Sequence, residues 1–164
     1  MTKKLLALTG IGEDRLHLAW VSSAEAQRFV DVVTSTTDTI KEIGKFDAKA
    51  FEVQLAAAES TLAGETLRWI VGKELKVTTQ GDVYGRKWDT DSYESILDSV
   101  LEREYQKNLI LQAIKADCTS VRTIRDKVGL DLGRISYLLA DLEKTNRVQF
   151  TGMKDNIPVF TALM

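Results

Sequence analysis

Seven side chains near the C-terminus have the types and spacing of a contact with nucleic acid or with a partner protein. They are Arg122, Arg125, Lys127, Arg134, Ser136, Tyr137 and Lys154. An arginine fork matches the two acceptors on the major-groove edge of guanine, which suits Arg134. Arg122, Arg125, Lys127 and Lys154 suit phosphate, which positions a protein on a duplex without reading sequence. No catalytic constellation accompanies them. The chain has one histidine and one cysteine, His17 and Cys118. No base is evident to activate Cys118, and His17 reads as a surface residue on the polar side of an alternating segment. A disulfide framework and a Cys/His metal site are excluded within one chain. Gly72 precedes KELK, but the G-x-x-x-x-G-K-[ST] spacing of a phosphate loop is missing. The chain is therefore not expected to be an enzyme by itself, and no catalytic, cofactor or metal residue is assigned.

The contact residues need helices to hold them. Residues 106–164 supply the pattern. A helix over Leu109–Ala116 precedes a break at Asp117-Cys118-Thr119. Ser120 caps a short helix that turns Val121, Ile124 and Val128 inward. Gly129-Leu130 makes the tight turn, and Asp131 begins a second helix with Ile135, Leu138, Leu139 and Leu142 on its buried face. Val148–Phe150 and Pro158–Thr161 read as two strands joined by the TGMKDNI turn. This order resembles the winged-helix superfamily. In its DNA-binding members the second helix of the motif enters the major groove. Here that helix would present Asp131, Gly133, Arg134, Ser136 and Tyr137. The charge argues for restraint. Residues 106–164 carry a balance of +3 against −5 for residues 1–105, and a specific DNA binder makes about 6–10 phosphate contacts. Asp131 and Asp141 also place acid on the reading helix. DNA binding and protein docking stand level on this segment alone.

At the other end, Arg15–Val21 alternates, with Leu16, Leu18 and Trp20 on one side. Ser22 and Glu25 have capping-box spacing. Ala26, Phe29, Val33, Ile40 and Ile43 then follow helical spacing to Gly44, a suitable C-cap. KLLALTGIGEDRLHLAWVSSAEAQRFVDVVTSTTDTIKEIGKF, over about residues 3–46, resembles the last part of the methyl-viologen-reducing hydrogenase delta subunit family. The shared run is a leucine-rich helix end, Gly-Ile, an acidic residue, Arg-Leu, a Trp-Val-Ser strand end and an acidic helix ending near glycine. The resemblance implies an α/β sandwich in an electron-transfer subunit. Such a subunit links a hydrogenase or formate dehydrogenase to heterodisulfide reductase-type machinery in anaerobes. It also implies a [2Fe–2S] cluster held by cysteines upstream of this segment. Those cysteines are absent here and Cys118 lies outside the matching region, so no cluster ligand is carried over and no cofactor is expected in this chain. A lone strand has unpaired edges on both sides. Pairing with a partner or a second copy is expected.

Between the two lies a helical region. Asp47 can cap a helix in which Phe51, Leu55, Ala58 and Leu62 recur at alternating four and three, a seam at coiled-coil spacing that continues to Thr66 and Trp69. GKFD is short enough to make a hairpin with the preceding helix. Gly81 and Gly85 flank a turn-rich loop. Trp69, Tyr84 and Trp88 read as anchors of that loop, with a ligand pocket as the alternative. Asp91 and Glu94 mark the start of another helix, with Ile96, Leu97, Val100, Leu101 and Tyr105 on one face and Glu102, Arg103 and Glu104 solvated.

The chain has 164 residues and 44% apolar composition, enough for a core. No apolar run approaches the roughly 20 residues of a membrane span, and the N-terminus lacks the apolar region of a signal peptide. A cytoplasmic protein with no membrane contact is expected. The expected fold is mainly α with a minor β component: a βα fragment plus helical hairpin, then a C-terminal winged helix-turn-helix. The expected domains are 1–46, a partial delta-subunit-like segment; 47–105, a helical linker or dimerisation region; and 106–164, the winged-helix domain. Two functions remain open. One is a non-catalytic accessory or adaptor of an anaerobic hydrogenase or heterodisulfide reductase-type electron-transfer complex, partnered by redox subunits. The other is a winged-helix DNA-binding regulator, dimeric through its helices.

Overall fold

Two capping residues set the spacing of the C-terminal helices. Ser120 Oγ accepts from the Thr123 amide at 3.2 Å while Thr123 Oγ1 accepts from the Ser120 amide at 3.1 Å, a reciprocal capping box. Asp131 Oδ1 accepts from the Arg134 amide at 2.9 Å. Between them Gly129, at φ 73°, ends the first helix in the left-handed region that glycine enters without a Cβ penalty.

The computed structural model describes residues 1–163. The helices are α1 Thr2–Thr9, α2 Ala26–Ile43, α3 Glu52–Ala63, α4 Glu65–Thr79, α5 Thr90–Lys115, α6 Val121–Val128 and α7 Leu132–Lys144. Single 3-10 turns occupy Glu13–Arg15 and Ala48–Phe51. Strands β1 Val148–Lys154 and β2 Ile157–Ala162 form an antiparallel pair. The protein is thus mainly helical with a small two-stranded sheet, as the patterning predicts. Among the described residues, no helix is long and apolar enough to cross a membrane.

The chain forms two units, Thr2–Glu52 and a second that begins at Val53. In the second, Ile110, Leu111 and Ile114 of α5, Ile124 of α6, and Ile135, Leu138, Leu139 and Leu142 of α7 close over Val148 of β1. Val121, Val128, Leu130, Phe160 and Ala162 pack at its margin. All four inward residues expected of α7 are in this core, and of those expected of α6 Ile124 is in it while Val121 and Val128 lie at its margin. The hairpin is tighter than expected. Only Asp155 and Asn156 lie between the strands, at φ 52° and 60°, the double left-handed geometry of a two-residue hairpin. The chain therefore pairs as far as Lys154↔Ile157. Ser120 adds an isolated bridge to Val159, which ties the start of α6 to the sheet.

The middle departs from the expected single seam. Gly64, at φ −64° and ψ 140°, breaks the helix and starts α4. The rotation this introduces buries Ala57, Ala58, Thr61, Leu67 and Ile70 and leaves Leu62 and Trp69 exposed. Asp89, not Asp91, caps α5: its carboxylate accepts from the Ser92 amide at 2.8 Å and the Ser92 hydroxyl at 2.7 Å. Those bonds, the hydroxyl first, hold its carboxyl below the usual range. Helix α5 runs unbroken through positions 105 and 106, so the expected division there falls inside one helix. The helix pair that packs is α4 on α5, locked where the Tyr93 hydroxyl donates to the Ile70 carbonyl at 3.1 Å.

Among the described residues, two buried side-chain atoms of α5 lack a hydrogen-bond partner, Arg103 Nε and the Tyr105 hydroxyl. Tyr105 is 2% exposed and its hydroxyl makes no hydrogen bond, and burial pushes its pKa up to about 12. A buried hydroxyl left unsatisfied costs about 1–3 kcal/mol. Tyr105→Phe is therefore expected to leave stability unchanged or raise it by about 1 kcal/mol in urea unfolding. A loss above that size would mean that the hydroxyl is bonded.

In the N-terminal unit, α2 forms as expected and ends at Gly44, φ 80°. The strand before it does not form. Leu16 is extended, yet residues 16–21 pair with nothing, because the unit contains no second strand to satisfy their amides and carbonyls. The expected βα fragment is a loop and a helix. Only half of the expected capping box is present: Glu25 Oε2 accepts from the Ser22 amide at 2.9 Å, and the helix starts at Ala26. Arg15 closes the unit instead. Its guanidinium donates to the Gly44 carbonyl at 3.1 Å and lies 5.4 Å from the centroid of Phe46, which stacks on Phe51.

Candidate interaction surfaces

Helix α2 has the strongest unmet demand. Phe29, Val33, Thr36, Ile40 and Ile43 alternate at four and three, so they form one stripe along the helix. None of its 18 residues is buried. Phe29 is 58% exposed, Val33 46% and Ile43 39%, and on the preceding loop Leu18 and Trp20 reach 79% and 84%. An amphipathic helix takes its stability from covering such a stripe. A contiguous exposed patch of this kind marks an interaction surface. His17–Ala19 face Asp31–Thr36 across a shallow cleft of about 380 Å³. His17 itself donates to the Asp14 carbonyl at 2.8 Å, and among the described residues no group of three metal-ligating side chains includes it.

The seven contact residues of the C-terminal unit do not act alike. Arg122, Lys127 and Lys154 are exposed. Arg125 is exposed but folds back on Asp126, with bonds of 2.7 and 2.9 Å. Arg134 turns inward: Nε donates to Gln106 Oε1 of α5 at 2.7 Å, and the guanidinium lies 5.9 Å from the ring of Tyr137. Ser136 spends its hydroxyl on the Leu132 carbonyl. Tyr137 is 56% exposed. Helices α6 and α7 thus offer an exposed tyrosine and scattered cations. The arginine expected to read a base is occupied in holding α7 to α5.

A polar network unforeseen in the sequence explains that tether. Gln106, Lys107 and Asn108 are all buried in α5. Asn108 donates to Thr61 Oγ1 of α3 at 3.0 Å and accepts from Arg147 at 2.7 Å. Asp141 Oδ2 accepts from Arg103 at 2.9 Å and pairs with Lys107 Nζ at 3.1 Å. Burial would raise the Asp141 carboxyl, but hydrogen bonds from Lys107 and Arg103 outweigh it and hold it below the usual range. Arg103, expected to face solvent, and Asp141, expected to place acid on the reading helix, instead join the two helices. The sequence shows only that QKN lies directly before the apolar run Leu109–Leu111.

An iron–sulfur cluster has no ligand set in this chain. Such clusters take about four thiolates, and Cys118 is the chain's single cysteine. Among the described residues no group of three His, Cys, Asp or Glu side chains converges.

The comparisons with known proteins fall on the unit with the uncovered helix. A family model described as "FlpD: Methyl-viologen-reducing hydrogenase, delta subunit" matches residues 1–44. Over 44 residues the chain is 41% identical to an iron-sulfur subunit of the F420-non-reducing hydrogenase vhu of Methanococcus voltae, covering 27% of this chain and 33% of that protein. The chain thus spans about a third of the length of the curated relative it matches. No solved structure matches. The likeness is confined to α1, α2 and the segment between them, and it stops at the Gly44 cap.

Proposed function

We propose that this protein is a non-catalytic accessory subunit of a hydrogenase-type electron-transfer complex, and that residues 2–52 are its docking element. The observation that carries this reading is a coincidence of place. The segment similar to the hydrogenase subunits is the one that leaves an amphipathic helix and two large apolar loop residues uncovered. A subunit of a larger assembly is expected to expose such a face until its partner covers it.

The experiment is anaerobic co-purification of the tagged chain from its source cells, with mass spectrometry scoring hydrogenase-type subunits. Phe29→Asp with Val33→Asp puts two charges in the middle of the stripe. Both sites are exposed, so the fold should survive, as circular dichroism would show. Recovery of the redox subunits should drop at least tenfold, about 1.4 kcal/mol. Absence of redox subunits with the unaltered chain, or equal recovery with the variant, would defeat the reading.

For the C-terminal unit we propose a winged helix serving as a second protein contact. The inward turn of Arg134 and the pairing of Arg125 with Asp126 favour protein over DNA. Gel retardation at low salt separates the two. No shift is expected; a shift that weakens with salt and with Arg122→Ala would establish the regulator reading instead.

A further inference from the structure

One cavity in the second unit belongs to neither surface above. It has a volume of about 340 Å³ and lies where α4, the loop of residues 80–89 and the first turn of α5 meet. Ligand pockets for small molecules span about 300–1,000 Å³. Its walls are Trp69, Ile70 and Val77 of α4, Val83 and Trp88 of the loop, and Tyr93 of α5. Two indoles and a phenol give flat apolar faces. The Tyr93 hydroxyl is already bonded to the Ile70 carbonyl, so the interior offers little hydrogen bonding.

The loop that walls the cavity is held in place before any ligand arrives. The Asp82 carboxylate accepts from the amides of Tyr84 at 2.9 Å and Arg86 at 3.0 Å, from Arg86 Nε at 3.1 Å and from the Trp88 indole at 3.4 Å. These bonds, led by the Arg86 amide, outweigh desolvation and lower its pKa. The Trp88 amide donates back to the Val77 carbonyl at 3.1 Å. Such preorganisation lowers the ordering cost of binding.

The charges at the lining are asymmetric. Lys73 and Lys76 stand three apart on α4, so one anion can meet both. The Lys73 ammonium is 6.0 Å from the centroid of Trp69. Neither lysine has an ion-pair partner among the described residues. Asp82 is the lining carboxylate, and its oxygens are taken up by the loop. Glu74 acts on Tyr93 at a distance but does not line the cavity.

We propose that this cavity binds a small flat aromatic molecule bearing one anionic group. The ring system lies against Trp69, Trp88 and Tyr93, and the anion is met by Lys73 and Lys76.

The test uses the full chain and 2-naphthoate as the probe, with 2-naphthamide as its uncharged match. Calorimetry gives affinity, and the indole N–H resonances of the chain's three tryptophans give the place. One saturable site is expected. The signals of Trp69 and Trp88 should move and that of Trp20 should stay. The amide, the double variant Lys73→Glu with Lys76→Glu, and Val83→Asp should each bind about tenfold more weakly. Val83 is 92% exposed, so its variant keeps the fold even if the lysine pair were to disturb α4. No saturable binding to the unaltered chain, shifts centred on Trp20, or equal affinity for the amide and both variants would overturn the proposal.

Discussion

Asp141→Ala is expected to lower the unfolding free energy by about 3 kcal/mol, in the range for breaking a buried ion pair from one side. The reason is Lys107. It is 7% exposed, and its ammonium is held by Asp141 at 3.1 Å and Glu104 at 3.0 Å. Removing Asp141 leaves it with one carboxylate and strands Arg103, whose Nε already lacks a partner. The urea midpoint should fall with an unchanged slope. Adding Lys107→Met should recover most of the loss, because an apolar side chain of similar length removes the buried charge. A loss below about 0.5 kcal/mol would show that the pair behaves as a surface bridge. The pH dependence follows from the lowered Asp141 carboxyl. Its folded pKa lies below the unfolded value of 3.8, so its contribution is complete above that value. It disappears as the pH falls through the folded pKa, and Asp141→Ala should flatten this part of the acid profile.

Gly81→Val is expected to cost about 2–3 kcal/mol and to abolish probe binding in the cavity beside it. Gly81 sits at φ 107°, and a Cβ there would lie 3.1 Å from the carbonyl carbon of Gly85 and 3.3 Å from the Arg86 oxygen. Both are backbone atoms of the same loop, so no side chain can swing away. The β-branched residue must change φ, and that breaks the Gly81 amide's bond to the Lys76 carbonyl and the Asp82 cradle behind it. Gly72→Val is the control: Gly72 is in mid-helix with open space around its would-be Cβ. It should leave binding intact. Equal effects at both positions would mean that the loop is not the wall of the site.

Both effects concern parts that the chain conceals to different degrees. The loop was announced by Gly81, Gly85 and the clustered aromatics, because turn residues act locally. Its cavity was one of two readings, since a tryptophan that anchors a loop and one that walls a pocket look alike in sequence. The network on α5 was missed. Arg103 and Asp141 are 38 positions apart and meet only when α7 crosses α5. The capping residues told less about α5 and α2 than about α6 and α7. Asp89 and Asp91 both have cap chemistry, and only the folded chain shows that Asp89 accepts the Ser92 bonds that start the helix.

The sequence by itself determined the mainly helical class, helices α2, α6 and α7, and the inward faces of the last two. These follow from period, caps, glycine and composition, all short-range. Only the tertiary structure decided which apolar stripes are covered. Ile135, Leu138, Leu139 and Leu142 of α7 find α5 and α6, whereas Phe29, Val33, Ile40 and Ile43 of α2 stay partly or largely exposed. It alone decided that Leu16–Val21 makes no strand and that Arg134 faces inward to Gln106. Alternation shows that a segment is able to pair, but a ladder needs a second strand, and burial needs a second surface. Neither is written in the spacing of the first.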